Sequence, residues 1–540
     1  MANIVAYGAG AAAIAAVAFA ANQPKVQMLV DPNNQTSILP DGSRVAAHVA
    51  GKPLAELMYP DAPTIYESYA RGARLSKGRR MMASRRTVDG KPGPYEWITY
   101  DDFLQHASDL ASAFGALGIK PGQETIIGIF SKNRPEWIIT EMAAYMQSMV
   151  TSPLYETLGK AETIHVCKLT EMPLVVVDSA CKAKKLLANK PELPHLAHIV
   201  VIEATEEALK EVVDLARPQS VGVQSYAELL ARGRQNPTKP EPRPPKPDDL
   251  ATICFTSGTT GMPKGAMLTH KNVVADLTTL NVLRPETCGN QEDVMISFLP
   301  LAHMFERMME LAVFSGGGAI GYFRGDIKGL ADDIKELRPT IVPVVPRVLN
   351  RIYDKVYAEA SKSSIKLMLL NAAVAFKKQE IQRGVIRNDS IVDHVVFKKI
   401  RDGLGGRVRL MVTGSAPIGD NVLTFIRCAL GCVVVEGYGQ TECVAGCTLS
   451  TEGDAVPGHV GIPVPSVAVK LFDIPEMNYV ANRNGGEICV RGNSVFKGYY
   501  KNEVETKNAL DAEGWLHTGD IGVWTSRGTL KVVDRKKHIF

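Results

Sequence analysis

From Trp97 onward, short apolar runs alternate with stretches of helical period, and this alternation constrains the fold more than any other feature of the chain. Residues 101–117 and 137–149 carry apolar side chains at helical spacing, whereas 125–130 and 174–177 are apolar runs of strand length. Strands separated by helices predict an α/β fold with parallel sheets covered by helices. A proline-rich stretch, 236–247, reads as an extended connector. The alternation resumes at Leu250. After about Pro457 the pattern changes to short strands and glycine turns, which predicts a β-rich subdomain. At 540 residues the chain is too long for one core, so several structural units are expected. Residues 31–95 read as mixed and turn-rich. Their arginines, Arg79, Arg80, Arg85 and Arg86, read as a solvated surface, or as a contact for anionic lipid headgroups. No internal repeat is evident.

A net charge of +4 over this length gives no reason to expect a nucleic-acid partner. Nine cysteines, an odd number without a framework of spacings, favour reduced thiols in a cytosol-facing body. Cys428/Cys432 and Cys443/Cys447 are four apart, but zinc sites more often use closer pairs with partner histidines. They read as small buried apolar residues. Residues 4–21 are uncharged and rich in Ala, Ile and Val. A run of this length just crosses a bilayer as a helix. A cleaved signal peptide and a soluble leader compete with a membrane anchor over residues 1–25, which is the preferred reading. The first basic residues, from Lys25, follow the run and place the body on the cytoplasmic side.

Three polar segments carry the chemistry. In the first, the strand-like run 251–255 enters Thr256, Ser257, Gly258, Thr259, Thr260, Gly261, Met262, Pro263 and Lys264, with a helix expected from about His270. Such a loop offers backbone N–H groups, hydroxyls and one ammonium to a polyphosphate. Its spacing is not that of a Walker A loop. In the second, a strand over 408–413 ends in Gly414, Ser415, Ala416 and Pro417. After a helix over 419–430, a second strand ends in Tyr438, Gly439, Gln440, Thr441 and Glu442. Both turns then fall at the C-terminal ends of adjacent parallel strands, where open α/β sheets bind ligands. Tyr438 can stack on a base, Thr441 can hold a phosphate, and the Glu442 carboxylate suits Mg²⁺. The third segment is Trp515, Leu516, His517, Thr518, Gly519, Asp520 and onward to Arg535, read as strand, polar turn, strand with Asp520 at the turn.

These segments, in this order, resemble the fatty acyl-CoA synthetases of the adenylate-forming superfamily, over about residues 97–540. The resemblance implies the large N-terminal domain of that fold, two βα-layered subdomains and a β-rich one, over residues 60–533. It implies ATP, Mg²⁺ and coenzyme A, with a long-chain fatty acid as the other substrate. Lys264 and its loop would hold the phosphates. Gly414 to Pro417, Tyr438 and Gly439 would frame the adenine. Thr441 would contact the α-phosphate, Glu442 would bind magnesium, and Asp520 and Arg535 would hold the ribose. His303 would sit near the acyl carboxylate and the thiol entrance, and Met304, Phe305, Met308 and Met309 are candidate walls of an acyl tunnel. Glu513 and Ser526 stand where the family commonly has Asp and Pro. With an anchor, the endoplasmic reticulum membrane is the expected location. The family's small C-terminal domain, with its second catalytic lysine, would begin at a hinge over 534–540. As written, the chain is therefore expected to bind ATP well and to be a poor ligase. A non-catalytic nucleotide- and acyl-binding remnant, and a ligase for another carboxylate, are the alternatives.

Overall fold

Three sheets organise the chain in the computed structural model, which describes residues 25–535 apart from 89, 238, 257–260, 478 and 482–484. The first has seven strands, in the order Lys264–Thr269, Leu250–Thr256, Val150–Pro153, Ile126–Phe130, Leu174–Ser179, His198–Glu203 and Gly222–Ser225. Its neighbours run parallel except for the first pair. Every residue of Ile126–Phe130 is buried, and a strand covered on both faces shows no alternation in its sequence. The helix Tyr100–Ala116 starts at a reciprocal cap between Thr99 and Asp102, and buries Phe103, Ala107, Leu110 and Phe114. The helix Pro135–Tyr145 has proline in its first turn. It ends earlier than its apolar period suggests. Ser148 adopts φ 53° and turns the chain into the next strand.

The second sheet has nine strands, in the order Ile462–Pro463, Thr448–Leu449, Val433–Tyr438, Leu410–Thr413, Ile341–Val344, Val294–Ser297, Ala319–Tyr322, Arg80–Val88 and Lys91–Thr99. Its middle is parallel and both edges are antiparallel. The reading of 31–95 as turn-rich surface needs correcting here. The segment contains the helix Ile65–Leu75 and the first strand of an edge hairpin. Arg85 is buried between Asp332 and Asp333, Arg79 pairs with Glu292, and Arg86 pairs with Glu96. Arg85 ties the hairpin to the helix Leu330–Leu337, and Arg86–Glu96 lies across the hairpin itself.

The third sheet is antiparallel, in the order Thr36–Ile38, Arg44–Ala46, Val467–Phe472, Gly485–Gly492, Leu516–Trp524 and Leu530–Arg535. One apolar core joins it to the layered sheets, running from Phe103 and Phe314 to Val469, Val490 and Leu530. All nine cysteines are free, and Cys428, Cys432, Cys443 and Cys447 are buried. Among the described residues no helix is long and apolar enough to cross a membrane. The expected anchor at 4–21 lies outside the described residues.

Candidate functional site

The strand Leu250–Thr256 carries the chain to the expected phosphate loop. Ser257, Gly258, Thr259 and Thr260 lie outside the described residues. Beyond the loop the helix expected from about His270 is present, but a strand that was not expected precedes it. Lys264 begins a strand, Lys264–Thr269, that returns antiparallel to Leu250–Thr256, with Thr256 opposite Lys264. Only then does the helix His270–Asp276 start, capped by Thr269 and Asn272. The residue that follows the loop therefore enters a strand and not a helix. The expected countercharge, the Lys264 ammonium, stands at the start of that strand.

That ammonium lies 2.5 Å from Glu505 Oε2 and 4.8 Å above the Tyr499 ring. The Tyr499 hydroxyl donates to Glu442 Oε1 at 2.6 Å. Tyr499 therefore joins the phosphate-loop lysine to the candidate metal ligand. Burial, with the Glu442 carboxylate beside it, raises the phenol pKa and keeps it a donor. Thr441 and Glu442 sit on a short 3₁₀ turn, Thr441–Cys443. Val444 closes this turn at φ 68°, a conformation a β-branched residue rarely adopts. Thr441 is buried and Glu442 half-buried.

The two adenine-framing turns are adjacent as expected. Leu410–Thr413 and Val433–Tyr438 run parallel, with Thr413 opposite Glu436. Gly414 is buried, while Ser415, Ala416 and Pro417 are exposed. Gly439 has a steric reason to be glycine, because a Cβ there would lie 2.0 Å from the Ala445 carbonyl oxygen. The Tyr438 hydroxyl donates to Asp520 Oδ2 at 2.8 Å, and Arg535 Nε donates to Asp520 Oδ1 at 2.9 Å. The three residues expected around the nucleoside thus meet.

Asp520 does not lie at a turn. It is inside the continuous strand Leu516–Trp524. Thr518, Gly519 and Asp520 stand opposite Ile488 alone, since Glu487 pairs with Ile521 and Cys489 with His517. The extra residues bulge, and Gly519 accommodates them with φ 73°. Gly519 N–H donates to Glu487 Oε1 and the Thr518 hydroxyl to the Ile488 carbonyl. The bulge re-aims Asp520 toward Tyr438.

His303 caps the N-terminal end of the helix Met304–Ser315. Its ring is reachable by solvent, yet the protein crowding it lowers its pKa and keeps it neutral. The Tyr155 ring stands edge-on, 6.3 Å away. The same helix sends Phe305, Met308 and Met309 into a cavity of about 90 Å³ that Gly414, Tyr438 and Gly439 also line. Met304 is buried in the core and is not among the lining residues. Asp276 also reaches this cavity, almost fully buried. Gly446 N–H donates to its Oδ2 at 3.4 Å, and burial raises its pKa well above the carboxylate range.

A tyrosine-framed carboxylate and an apolar cavity share Tyr438, and the Lys264 hairpin carries the third of the expected segments. The family model described as AMP-binding enzyme matches residues 74–500. The chain belongs to that family. Within it, the chain is 47% identical over 526 residues to long-chain-fatty-acid–CoA ligase 5 of Rattus norvegicus, covering 96% of this chain and 75% of that protein. It is 47% identical over 489 residues to long-chain-fatty-acid–CoA ligase 1 of Homo sapiens, covering 89% and 68%. The fold is similar to that of the adenylation domain of carboxylic acid reductase from Segniliparus rugosus. The TM-score is 0.70 at 22% identity, covering 88% of this chain and 74% of that one. The fold is therefore the adenylate-forming one, and the chain is a member of the long-chain fatty acid–CoA ligases.

Sequence reasoning missed Tyr499, Glu505 and Asp276. Tyr499 and Glu505 sit in a segment without a motif. The only local signals were a Gly-Tyr-Tyr run and an acid in the first turn of the helix Glu503–Ala509.

Proposed function

We propose that this protein activates long-chain fatty acids to acyl-CoA by way of an acyl-adenylate, consuming ATP and releasing AMP and pyrophosphate. The observation that carries the reading is the shared boundary between the two halves of the site. Tyr438 and Gly439 line the cavity that Met308 and Met309 also line, so an acyl tail there reaches the α-phosphate side of a nucleotide held by Tyr438 and Asp520.

In the first step a fatty carboxylate oxygen attacks the α-phosphorus of ATP and pyrophosphate leaves. Charge grows on phosphate oxygens, so positioning and preorganised donors supply most of the catalysis. Lys264, the Thr441 hydroxyl and the hydroxyls and amides of the 256–261 loop serve as those donors. The ribose hydroxyls would compete with Tyr438 and Arg535 for Asp520, whose two oxygens offer more lone pairs than those two donors use. In the second step the coenzyme A thiolate attacks the acyl carbonyl and AMP leaves. His303, held neutral two residues before the cavity-lining Phe305, is suited to accept a thiol proton.

Mg²⁺ fits the donor set. Glu442 is a half-buried carboxylate with Oε1 fixed by Tyr499, and hard oxygen ligands suit this cation. When bound, the ion neutralises charge on the phosphates. As part of the same proposal, residues 60–533 form the nucleotide-binding unit and 534–540 lead into a hinge. Residues 4–21 anchor the chain to a membrane, the endoplasmic reticulum by preference, with the body facing the cytosol.

Lys264→Ala should weaken MgATP binding by about 1–3 kcal/mol, the range for losing a charge-assisted hydrogen bond. Isothermal calorimetry on both proteins measures it. Equal affinities would remove Lys264 and its hairpin from the nucleotide site.

A further inference from the structure

We infer that the helical unit 346–403 docks on an anionic lipid surface through an apolar face ringed by lysine and arginine. This inference stands apart from the ligase reading. The unit comprises the helices Pro346–Ala360 and Ser364–Gln382, the turn Asp393–Phe397 and the helix Lys398–Gly403. An ordinary surface helix turns one apolar stripe inward and a polar face to water. Ser364–Gln382 buries Leu370 and Ala373, yet it also turns Ile365, Met368, Leu369 and Phe376 outward. These four fall within one stripe, at i, i+3, i+4 and i+11. Nearby, Ile391 and Val395 are 82% and 77% exposed. The exposed apolar side chains therefore cluster on one unit.

Charge selects the occupant. The unit contains twelve Lys and Arg against six Asp and Glu, a net +6, while the whole chain is +4. The remainder is thus slightly acidic in sum, and the unit with the apolar face carries a local basic excess. Lys366, Lys378, Arg383 and Lys399 are exposed and form no ion pair among the described residues. Apolar side chains flanked by long basic ones suit an interface where the former enter the acyl boundary and the latter stay at headgroup level. A second copy of the chain would bring +6 against +6. The described chain also begins here. Val26 N–H donates to the Gly384 carbonyl at 2.7 Å, just past the end of Ser364–Gln382. Val26 thus lies against this unit, at the Gly384 end of its long helix.

The full-length chain carrying Cys181→Ser and Leu369→Cys gives one exposed thiol, because the other eight cysteines are buried. An environment-sensitive fluorophore at 369 is followed on adding phosphatidylcholine vesicles with or without phosphatidylserine. A second labelled protein, Cys181→Ser with Glu207→Cys, is the control. The expected result is a blue shift and several-fold brightening at 369 with phosphatidylserine only, reversed by high salt, and no change at 207. Ile365→Glu in the 369-labelled chain should remove most of this shift, at unchanged melting temperature, even where residues 4–21 hold the chain to the vesicle. Flotation without a change at 369 would overturn the inference, because another segment then holds the membrane. A concentration-dependent blue shift without vesicles would give the face to a second copy. A shift already present in dilute buffer would give it to the chain itself.

Discussion

Tyr499→Phe is the sharpest probe of the site, because it removes one atom and leaves the packing. The hydroxyl donates to Glu442 Oε1 at 2.6 Å, while the ring carries the Lys264 ammonium 4.8 Å above it. Phenylalanine keeps the ring and therefore the cation–π contact. What is lost is one hydrogen bond to a charged acceptor, worth about 1.5–3 kcal/mol. Glu442 is half-buried and can be hydrated in place of that bond, so the folded state should lose little stability. The loss falls on how well the carboxylate is held for its ion. At about 1.4 kcal/mol per decade, kcat/KM for MgATP should fall roughly 10- to 150-fold. The assay is pyrophosphate release with a long-chain fatty acid, titrated separately in nucleotide and in Mg²⁺. The deficit should appear as a higher Mg²⁺ requirement, with metal-free ATP binding unchanged. An unaltered Mg²⁺ titration would mean that Tyr499 does not position Glu442 for the metal. A melting temperature lowered by many degrees would mean that the contact is structural.

Asp520→Asn should weaken ATP binding while sparing fatty acid binding, since an amide presents one acceptor oxygen to the ribose where the carboxylate presents two. Calorimetry with ATP and an analogue lacking the ribose hydroxyls tests this, and equal discrimination by both proteins would exclude the ribose contact. Glu505→Gln should tighten MgATP binding several-fold, because Lys264 then leaves a weaker partner to reach phosphate; weaker binding in the same titration would show that Glu505 helps to place the lysine. Glu310→Gln should stabilise the fold more at pH 8 than at pH 5. Burial pushes the Glu310 carboxyl up to about 8. Its contribution is present below the ordinary carboxylate range and is lost as pH rises toward 8, because the unfolded chain ionises first. Melting curves at both pH values read the difference, and a gain independent of pH would show that Glu310 is not held protonated.

The layered part of the fold was legible because its strands are buried on both faces. Ile126–Phe130 and Leu250–Thr256 stand out as apolar runs, and the adjacency of Leu410–Thr413 and Val433–Tyr438 follows from one intervening helix. The hairpin Arg80–Thr99 was not legible. It is an edge, and its Arg85 finds partners in Asp332 and Asp333, more than two hundred residues away. No local pattern announces a distant ion pair. The bulge at Asp520 was misread for a related reason. Thr-Gly-Asp is good turn chemistry, and whether it turns or bulges depends on the register of the neighbouring strand Gly485–Gly492. The candidate site residues named from the sequence are those carried by recognisable loops. Tyr499 and Glu505 enter the site only because the backbone near Tyr499 pairs with Ala266 beside the phosphate hairpin.

The charged groups described at the site already have partners. Lys264 holds Glu505, Glu442 holds Tyr499, and Asp520 holds both Tyr438 and Arg535. At Lys264 nucleotide binding is therefore an exchange of partners, whereas Glu442 keeps Tyr499 as it takes its ion. The phosphate contact gains only its surplus over the Glu505 contact it replaces, which limits ground-state affinity. The same internal contacts fix the side chains before the ligand arrives, so little ordering remains at the moment of reaction. Interactions that are weak gains in the ground state but preorganised for growing charge favour the transition state over the substrate. The Lys264–Glu505 pair is the clearest case. A phosphate that becomes more negative as pyrophosphate departs competes better for the ammonium than the carboxylate does, so the exchange is driven furthest along the reaction coordinate.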